Sequence, residues 1–420
     1  MTIVPQMPQA LPVQKVRTAL PVERVVIVSD FCDIQGGQAK VAIESARLLA
    51  QAGCKVTFFA ATGTPDALLD HPDIRVVTLN HSPLSAGGFA AALRGLWNAR
   101  AAQALTGVLA EITEPRAVLH VHGFAKALSP AIGPVLRKSR LPVVFTLHEY
   151  FLACPNGGFY DYQSQQICQR RPMGLSCLTA HCDKNLPSHK AYRVVRQALL
   201  HSLGGLPRNL RHIIYLADGQ RRRMEPHLPT RAQLYHLPNP VGADNRAPVA
   251  ASCNRGFVFV GRLSREKGAT LFAEAARAIG APAAFIGDGP DADAVRKANP
   301  AAEVTGWLAP GEVRERIANA RALVLPSLWI ECQPLVMLEA LSMGVPVVAG
   351  RWVSGTDLIE EGVSGILVDR PSVSAFADAL GAVSALPDFD PATIRAACDP
   401  ARHLEGLLKI YGDALISETG

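Results

Sequence analysis

Short apolar runs alternate along this chain with longer segments that have the spacing of amphipathic helices. The first run, "RVVIVSD" at residues 24–30, is rich in β-branched residues, as buried strands of parallel sheets are. The segment "AKVAIESARLLAQAG" follows it with apolar residues every three or four positions and ends at Gly53. The same order predicts further strands in this half at residues 55–61, 74–79, 117–123, 141–150 and 212–218, the last of the half.

The pattern begins again after a proline-rich stretch at residues 236–254. Strands are predicted at residues 256–262, 281–288, 302–307, 320–327, 345–350 and 365–369. Strict alternation of strand and helix predicts an α/β protein with parallel sheets, here two Rossmann-like, doubly wound domains facing each other across a cleft. We predict a disordered leader at 1–21, an N-terminal domain at 22–240, a linker at 241–254, a C-terminal domain at 255–385 and closing helices at 386–420.

Composition and charge narrow the class of protein. A chain of 420 residues is longer than a domain with a single hydrophobic core usually is, which favours two domains. The net charge of +6 suits an anionic small molecule or an anionic membrane surface, and no nucleic-acid-binding motif accompanies it. Nine cysteines, an odd number, argue against a secreted disulfide framework, and the sequence predicts neither a signal peptide nor a membrane span. We therefore predict a cytoplasmic protein, with peripheral contact to the inner membrane face left open.

Two carboxylates stand in an apolar stretch, "WIECQPLVMLEALSMGVPVVAG" at residues 329–350. Glu331 and Glu339 have no lysine or arginine near them in sequence, and a buried carboxylate without a partner is costly. Pro334 is predicted to start a helix that ends at Gly344, with Glu331 in the loop before it. We expect the hydroxyl groups of a ligand to be the partners. A nucleotide sugar, with hydroxyls on both sides of a diphosphate, has that layout.

Two other strand ends carry candidate groups in the first half. The pair Gly36–Gly37 opens a helix after the first strand, where backbone amides could approach an anion or merely form a tight turn. His122 is predicted at the end of the fourth strand, facing the cleft, with His120 two residues earlier on the same face. A pair of hydrogen-bonded core histidines is the alternative.

The second half offers a basic loop and a glycine motif. Arg262 and Lys267 follow the strand at 256–262 and could converge on a pyrophosphate, or form a solvated loop. Gly287, Gly289 and Ala292 have the spacing of a dinucleotide fingerprint. That motif belongs on the first βα turn of a domain, whereas here it lies on the second turn, and the next strand does not end in an acidic residue. Dinucleotide binding is therefore not predicted.

Taken together, these motifs resemble the family-4 glycosyltransferases. "PSLWIECQPLVMLEALSMGVPVVAG", with glutamates seven residues apart, is similar to that family's signature, and "HVHG", "VGRLSREKG", "FIGDGP" and "LIEEGVSGILVD" occur in its order. The resemblance covers roughly residues 24–375. It implies the GT-B fold, a UDP- or GDP-linked sugar donor, retention of anomeric configuration and no cofactor required for catalysis.

The resemblance also implies site residues around the cleft. Those expected to bind the donor are Gly36, Gly37, Arg262, Lys267, Glu339, Pro334 and Leu335, and those expected at the reaction centre are His122 and Glu331. Many relatives have Phe-Gly after the first glutamate, where this chain has the segment at 332–335, "CQPL". This departure leaves the identity of the donor sugar open.

A cysteine-bearing insert at residues 150–190 is unlike a plain sheet connection. It contains Cys154, Cys168, Cys177 and Cys182, the last two with C-x4-C spacing. The insert resembles one found in some bacterial polysaccharide-assembly members of the family. A structural zinc site, free thiols in a folded loop, and aromatic residues that shape an acceptor site or touch a membrane are the alternatives.

The predicted function is transfer of a sugar from a nucleotide-diphosphate donor to a glycan or lipid-linked acceptor, in cell-surface polysaccharide synthesis. A GT-B nucleotide-sugar epimerase and a non-catalytic sugar-nucleotide-binding protein are the alternatives. A glycosidase that uses the two glutamates fits poorly, because such a pair needs no diphosphate clamp.

Overall fold

A computed structural model describes residues 20–81, 88–242 and 246–417. Most of the predicted leader lies outside these residues. The strands of the first half are β1 (Arg24–Phe31), β2 (Lys55–Thr62), β3 (Ile74–Thr78), β4 (Ala117–Val121), β5 (Val143–Thr146), β6 (Tyr160–Asp161), β7 (Gln166–Ile167), β8 (His212–Tyr215) and β9 (Gln233–His236). All but β6 and β7 form one parallel sheet in the order β3-β2-β1-β4-β5-β8-β9. Strands β6 and β7 pair with each other as an antiparallel hairpin.

The second half forms a separate parallel sheet. Its strands are β10 (Phe257–Val260), β11 (Ala283–Ile286), β12 (Glu303–Gly306), β13 (Ala322–Leu325), β14 (Val347–Gly350) and β15 (Gly365–Val368). They lie in the order β12-β11-β10-β13-β14-β15. In each sheet the strand order reverses beside the strand that comes first in sequence, β1 in one sheet and β10 in the other. A crevice opens at that point, at the carboxyl ends of the strands.

Helices connect the strands in both halves. Those of the first half are α1 (Gly37–Gln51), α2 (Phe89–Leu96), α3 (Ala99–Ala110), α4 (Gly133–Lys138), α5 (Leu175–Thr179), α6 (Pro187–His201) and α7 (Asp218–Met224). Those of the second are α8 (Ala269–Ala278), α9 (Ala292–Ala298), α10 (Pro310–Ala318), α11 (Leu335–Met343), α12 (Val373–Ala382), α13 (Ala392–Ala397) and α14 (Pro400–Ser417). No helix in the described ranges is both long and apolar enough to cross a bilayer.

Each sheet is buried on both faces, which explains its continuous apolar strands. Along β1, Val26 and Val28 pack into one core and Val25 and Ile27 into another, because successive side chains point to opposite faces. The alternation of strand and helix therefore predicted the architecture correctly.

The final helix, α14, returns to the sheet of the first half. The Tyr411 hydroxyl hydrogen-bonds Nδ1 of His120 at 2.7 Å, and His403 Nε2 lies 3.3 Å from the Ser45 hydroxyl on α1. The chain thus passes from the first half to the second after β9 and returns to the first half at α14.

The prediction that residues 212–218 form the last strand of the first half is wrong. Strand β9 pairs with β8 beyond them, at the edge of the sheet. It has only four residues, "QLYH", and both ends are exposed. A short edge strand of this kind lacks the apolar run that marks the other strands.

Candidate active site

Glu331 is paired with a lysine that lies far from it in sequence. Its Oε1 is 2.7 Å from Lys267 Nζ and accepts a hydrogen bond from the Ser327 hydroxyl, also at 2.7 Å. Burial alone would raise the pKa of Glu331, but the Lys267 ammonium and the Ser327 hydroxyl bring it below its ordinary value. Glu331 is therefore a carboxylate at neutral pH, and the expectation that it lacks a basic neighbour is wrong.

The conformation of the loop that carries Lys267 requires a glycine. Gly268 has φ of +70°, and a Cβ there would stand 2.0 Å from the carbonyl oxygen of Pro326, so no other residue fits. Arg262, earlier in the same loop, is exposed and forms no ion pair with the described parts of the chain. Of the two cations expected to bind the donor, the loop thus presents Lys267 in an ion pair and Arg262 outside one.

Glu339 also has a lysine partner, from the other half of the molecule. On α11, its Oε1 lies 2.6 Å from Nζ of Lys40 on α1. Beside this ion pair, the side chain of Leu335 lies against Gly37, where a Cβ would be 3.4 Å from Leu335 Cδ1. Pro334 is the extended N-cap residue of α11, so the helix begins directly after it, within one residue of the predicted start. The start of α1, with Gly36 at φ +137°, therefore faces the start of α11 across the cleft.

The two histidines of β4 have different surroundings. His120 is a hydrogen-bonded core residue, because its second nitrogen, Nε2, lies 2.7 Å from the Thr146 hydroxyl. His122 Nδ1 lies 3.0 Å from Nε2 of His148, while Nε2 of His122 is buried without a hydrogen-bond partner. His122 is 3% exposed, and a buried polar atom normally has a hydrogen-bond partner.

Burial keeps the His122–His148 pair neutral. It lowers the pKa of His122 well below the ordinary value and that of His148 to about 3. A group with a lowered pKa stays deprotonated until the pH falls through that lowered value. We therefore expect kcat/KM to show no histidine-type decline between pH 8 and pH 6. A pH–rate profile checks this, and a fall in rate with a midpoint near 6.5 would contradict it.

Tyr150 and Gln333 join the two halves beside these groups. The Tyr150 hydroxyl donates to the backbone oxygen of Glu331 at 3.3 Å. Gln333 Nε2 donates to the carbonyl oxygen of Leu216 at 2.9 Å, and its Oε1 accepts from the backbone N–H of Asn239 at 2.7 Å. The segment that departs from the family pattern therefore contacts the first half of the chain.

Three residues near the site were not predicted from sequence, namely Lys40, His148 and Gln333, whereas Tyr150 is one of the aromatic residues of the insert that were offered for an acceptor site. His148 and Tyr150 follow β5, so their position just beyond a strand end was a usable signal. The role of Lys40 rests on an ion pair between residues 299 positions apart, which no local pattern shows.

The glycine motif after β11 serves packing. A Cβ at Gly287, whose φ is +137°, would stand 2.0 Å from the carbonyl oxygen of Gly261. The glycine is thus required where two loops cross.

Two of the four cysteines of the insert, Cys177 and Cys182, lie beside Lys190 on α6. Its Nζ lies 3.2 Å from Cys182 Sγ and 3.7 Å from Cys177 Sγ. Across the described residues, no three His, Cys, Asp or Glu side chains are grouped closely enough to hold a metal ion as they stand. The zinc site remains a prediction.

Two solved structures share this fold. Sucrose-phosphate synthase from Thermosynechococcus elongatus has a TM-score of 0.63, with 94% of this chain and 97% of that one covered at 19% identity. HepE from Anabaena, solved with UDP and glucose, has a TM-score of 0.61, with 92% and 98% covered at 14% identity. These identities establish the fold alone. It is the GT-B fold, as the resemblance implied.

The family follows from the sequence. The profile of the family described as Glycosyltransferase Family 4 matches residues 35–245, and that of Glycosyl transferases group 1 matches residues 254–385. This chain belongs to the family-4 glycosyltransferases. A GDP-mannose-dependent alpha-mannosyltransferase of Corynebacterium glutamicum is 36% identical over 112 residues, which are 26% of this chain and 27% of that protein. The matched stretches span less than half the length of the curated relatives.

Proposed function

We propose that this chain is a retaining glycosyltransferase that moves a sugar from a UDP- or GDP-linked donor to a glycan or lipid-linked acceptor, in cell-surface polysaccharide synthesis. The observation that carries the proposal is the cluster at the cleft. Lys267, Arg262 and Glu331 lie at strand ends of one half, and His122 lies at a strand end of the other with an unpartnered nitrogen.

The donor's diphosphate is assigned to Arg262 and Lys267. As the bond to the sugar breaks, negative charge grows on the leaving oxygen, and fixed cations nearby lower the energy of that state. Arg262 offers a planar fork and Lys267 a point charge, which together suit a diphosphate. In this role the two side chains would make a catalytic metal unnecessary.

The sugar groups are assigned to the two glutamates and to His122. Ionised Glu331 would accept hydrogen bonds from hydroxyls of the transferred sugar, and Glu339 from the ribose diol. The unpartnered Nε2 of His122 would meet a hydroxyl near the reacting carbon. The relatives support a nucleotide-sugar donor: HepE was solved with UDP and glucose, and the mannosyltransferase is named for GDP-mannose.

The test is product formation from a panel of UDP- and GDP-sugars with a membrane-lipid extract as acceptor. We expect release of one nucleoside diphosphate that depends on the acceptor, and an anomeric NMR signal with the donor's configuration. Inversion would contradict the retaining mechanism. Epimerised nucleotide sugar without transfer would contradict the transferase proposal and support the epimerase.

Replacing Lys40 by alanine is expected to strengthen nucleotide binding by up to about fivefold. The ribose must take the place of Lys40 on Glu339, and a partly exposed ion pair of this kind is worth roughly 0.2–1 kcal/mol. Isothermal titration of UDP or GDP checks the prediction. Arg47→Ala on the same helix, whose partner is Glu44, should leave the affinity unchanged. Weaker binding by Lys40→Ala would mean that Lys40 itself contacts the donor.

A further inference from the structure

A second cavity lies at the amino ends of the strands of the first sheet, at the opposite edge from His122. Its volume is 260 Å³, where about 10–15 Å³ is enough for one water molecule. Val143, the first residue of β5, lines it together with Arg211, directly before β8, and Arg231, shortly before β9. Because neighbouring strands lie only about 4.8 Å apart, the starts of β8 and β9 bring the two arginines close together.

Three arginines line this cavity, and no carboxylate of the described chain does. The third is Arg137, in the last turn of α4. Arg231 Nη2 donates to the backbone oxygen of Arg208 at 3.1 Å, but none of the three arginines forms an ion pair within the described ranges. Guanidinium groups that share one cavity repel each other, so an anion bound between them would relieve the repulsion.

The chain around the cavity contains cations and no acidic residues. Asp and Glu are absent from the three segments that form it, residues 115–148, 186–217 and 226–243. Lys138 and Arg140, both exposed beside the start of β5, add to the positive charge without lining the cavity. The charge at this edge of the sheet is therefore segregated.

This segregation is not the general pattern of the surface. In the second half, Arg316 holds Glu303 with both of its terminal nitrogens, at 2.7 and 2.8 Å. A cation in the last turn of a helix, such as Arg137, suits the helix dipole. That reason does not apply to Arg211 or Arg231, because both precede strands.

Asn209 adds hydrogen-bonding capacity that the chain does not use. Its side chain lines the cavity, and in the described structure its Nδ2 is buried without a hydrogen-bond partner. It meets Arg137 over Gly205, where a Cβ would stand 2.3 Å from Asn209 Nδ2 and 3.6 Å from Arg137 Nη1. A glycine thus leaves the room in which an amide and a guanidinium meet at one wall, and buried polar atoms normally have partners.

We propose that this cavity binds a phosphate group, held by Arg137, Arg211 and Arg231. The planar N–H forks of guanidinium groups match pairs of phosphate oxygens. Leu136 and Leu141 in the wall suit the carbon part of a phosphate ester. A soluble ester and a lipid headgroup present the same chemistry to the arginines. The site is separate from the one assigned to the donor's diphosphate and does not rest on the transferase proposal.

The variant Arg211→Ala/Arg231→Ala is expected to weaken binding of inorganic pyrophosphate at this site by at least about tenfold, because two of three charged donors are lost. Isothermal titration measures it. Arg262 and Lys267 are present in both proteins, so the difference between them reports the cavity alone. Both substituted arginines are exposed, so the variant should fold, which circular dichroism checks.

The matched control is Lys138→Ala/Arg140→Ala. It removes the same charge from the same edge of the sheet but leaves the lining intact, so pyrophosphate affinity should change by no more than about twofold. Equal pyrophosphate binding by the wild-type protein and Arg211→Ala/Arg231→Ala would overturn the proposal. Equal losses in the two double variants would also overturn it, because diffuse surface charge would then explain the binding.

Vesicles of phosphatidylcholine with and without phosphatidic acid distinguish the two sources of phosphate. Sedimentation with the phosphatidic acid vesicles that is lost in Arg211→Ala/Arg231→Ala and kept in the control would assign the site to a lipid headgroup. Vesicle binding that is absent, or the same in all three proteins, would assign it to a soluble phosphate ester, given the expected loss of pyrophosphate binding. None of these measurements depends on transferase activity.

Discussion

The variant Lys267→Ala is expected to lose transfer activity by a factor of about 10² to 10³ and to unfold more easily by about 2 kcal/mol. The loss of rate follows from removing a cation beside the leaving diphosphate. The loss of stability follows because Glu331, 9% exposed, would keep its charge without its partner. Initial rates and denaturant unfolding measure the two effects separately.

A matched double variant separates the two roles of Lys267. In Lys267→Ala/Glu331→Gln the unpaired charge is removed, so we expect most of the stability to return while activity stays lost. The single variant Glu331→Gln is the control for the carboxylate. Recovery of activity in the double variant would contradict the assignment of Lys267 to the diphosphate.

The variant Gly268→Ala is expected to weaken nucleotide binding by at least about tenfold. The added Cβ meets the Pro326 carbonyl at 2.0 Å, and a left-handed backbone costs a non-glycine residue roughly 1–2 kcal/mol. The loop must therefore move, and it carries both Arg262 and Lys267. Isothermal titration with UDP and GDP measures the effect.

The control is Gly381→Ala, in the last turn of α12. A Cβ at this position meets nothing within 4 Å, and alanine favours a helix, so we expect stability to rise by about 0.5–1 kcal/mol with binding unchanged. Equal binding by Gly268→Ala and the wild-type protein would show that the loop does not hold the nucleotide.

The positions of the two glutamates could be predicted from the sequence, but their partners could not. Pro334 and Gly344 bound the helix where expected, because helix starts and stops are local signals. The partners are Lys267, 64 residues before Glu331, and Lys40, 299 residues before Glu339. A pattern confined to a short window cannot show an ion pair that exists only once the chain has folded.

The histidines illustrate the same limit. "HVHG" places His120 and His122 on one strand without distinguishing them. Their hydrogen-bond partners distinguish them. The Tyr411 hydroxyl on α14 hydrogen-bonds His120, and His148 hydrogen-bonds His122. For the insert, the sequence showed four cysteines close together, but the buried Lys190 beside two of them was visible only in the structure.

The most direct test of the nucleotide site is the shift in melting temperature on adding UDP, GDP and their sugar conjugates. A ligand that binds only the folded state raises its stability according to its affinity. For the wild-type protein we expect the melting temperature to rise with nucleotides of one base, uridine or guanosine. For Lys267→Ala/Glu331→Gln, whose stability without ligand should be similar, we expect no rise. A folded wild-type protein that shows no shift with any nucleotide would contradict the account.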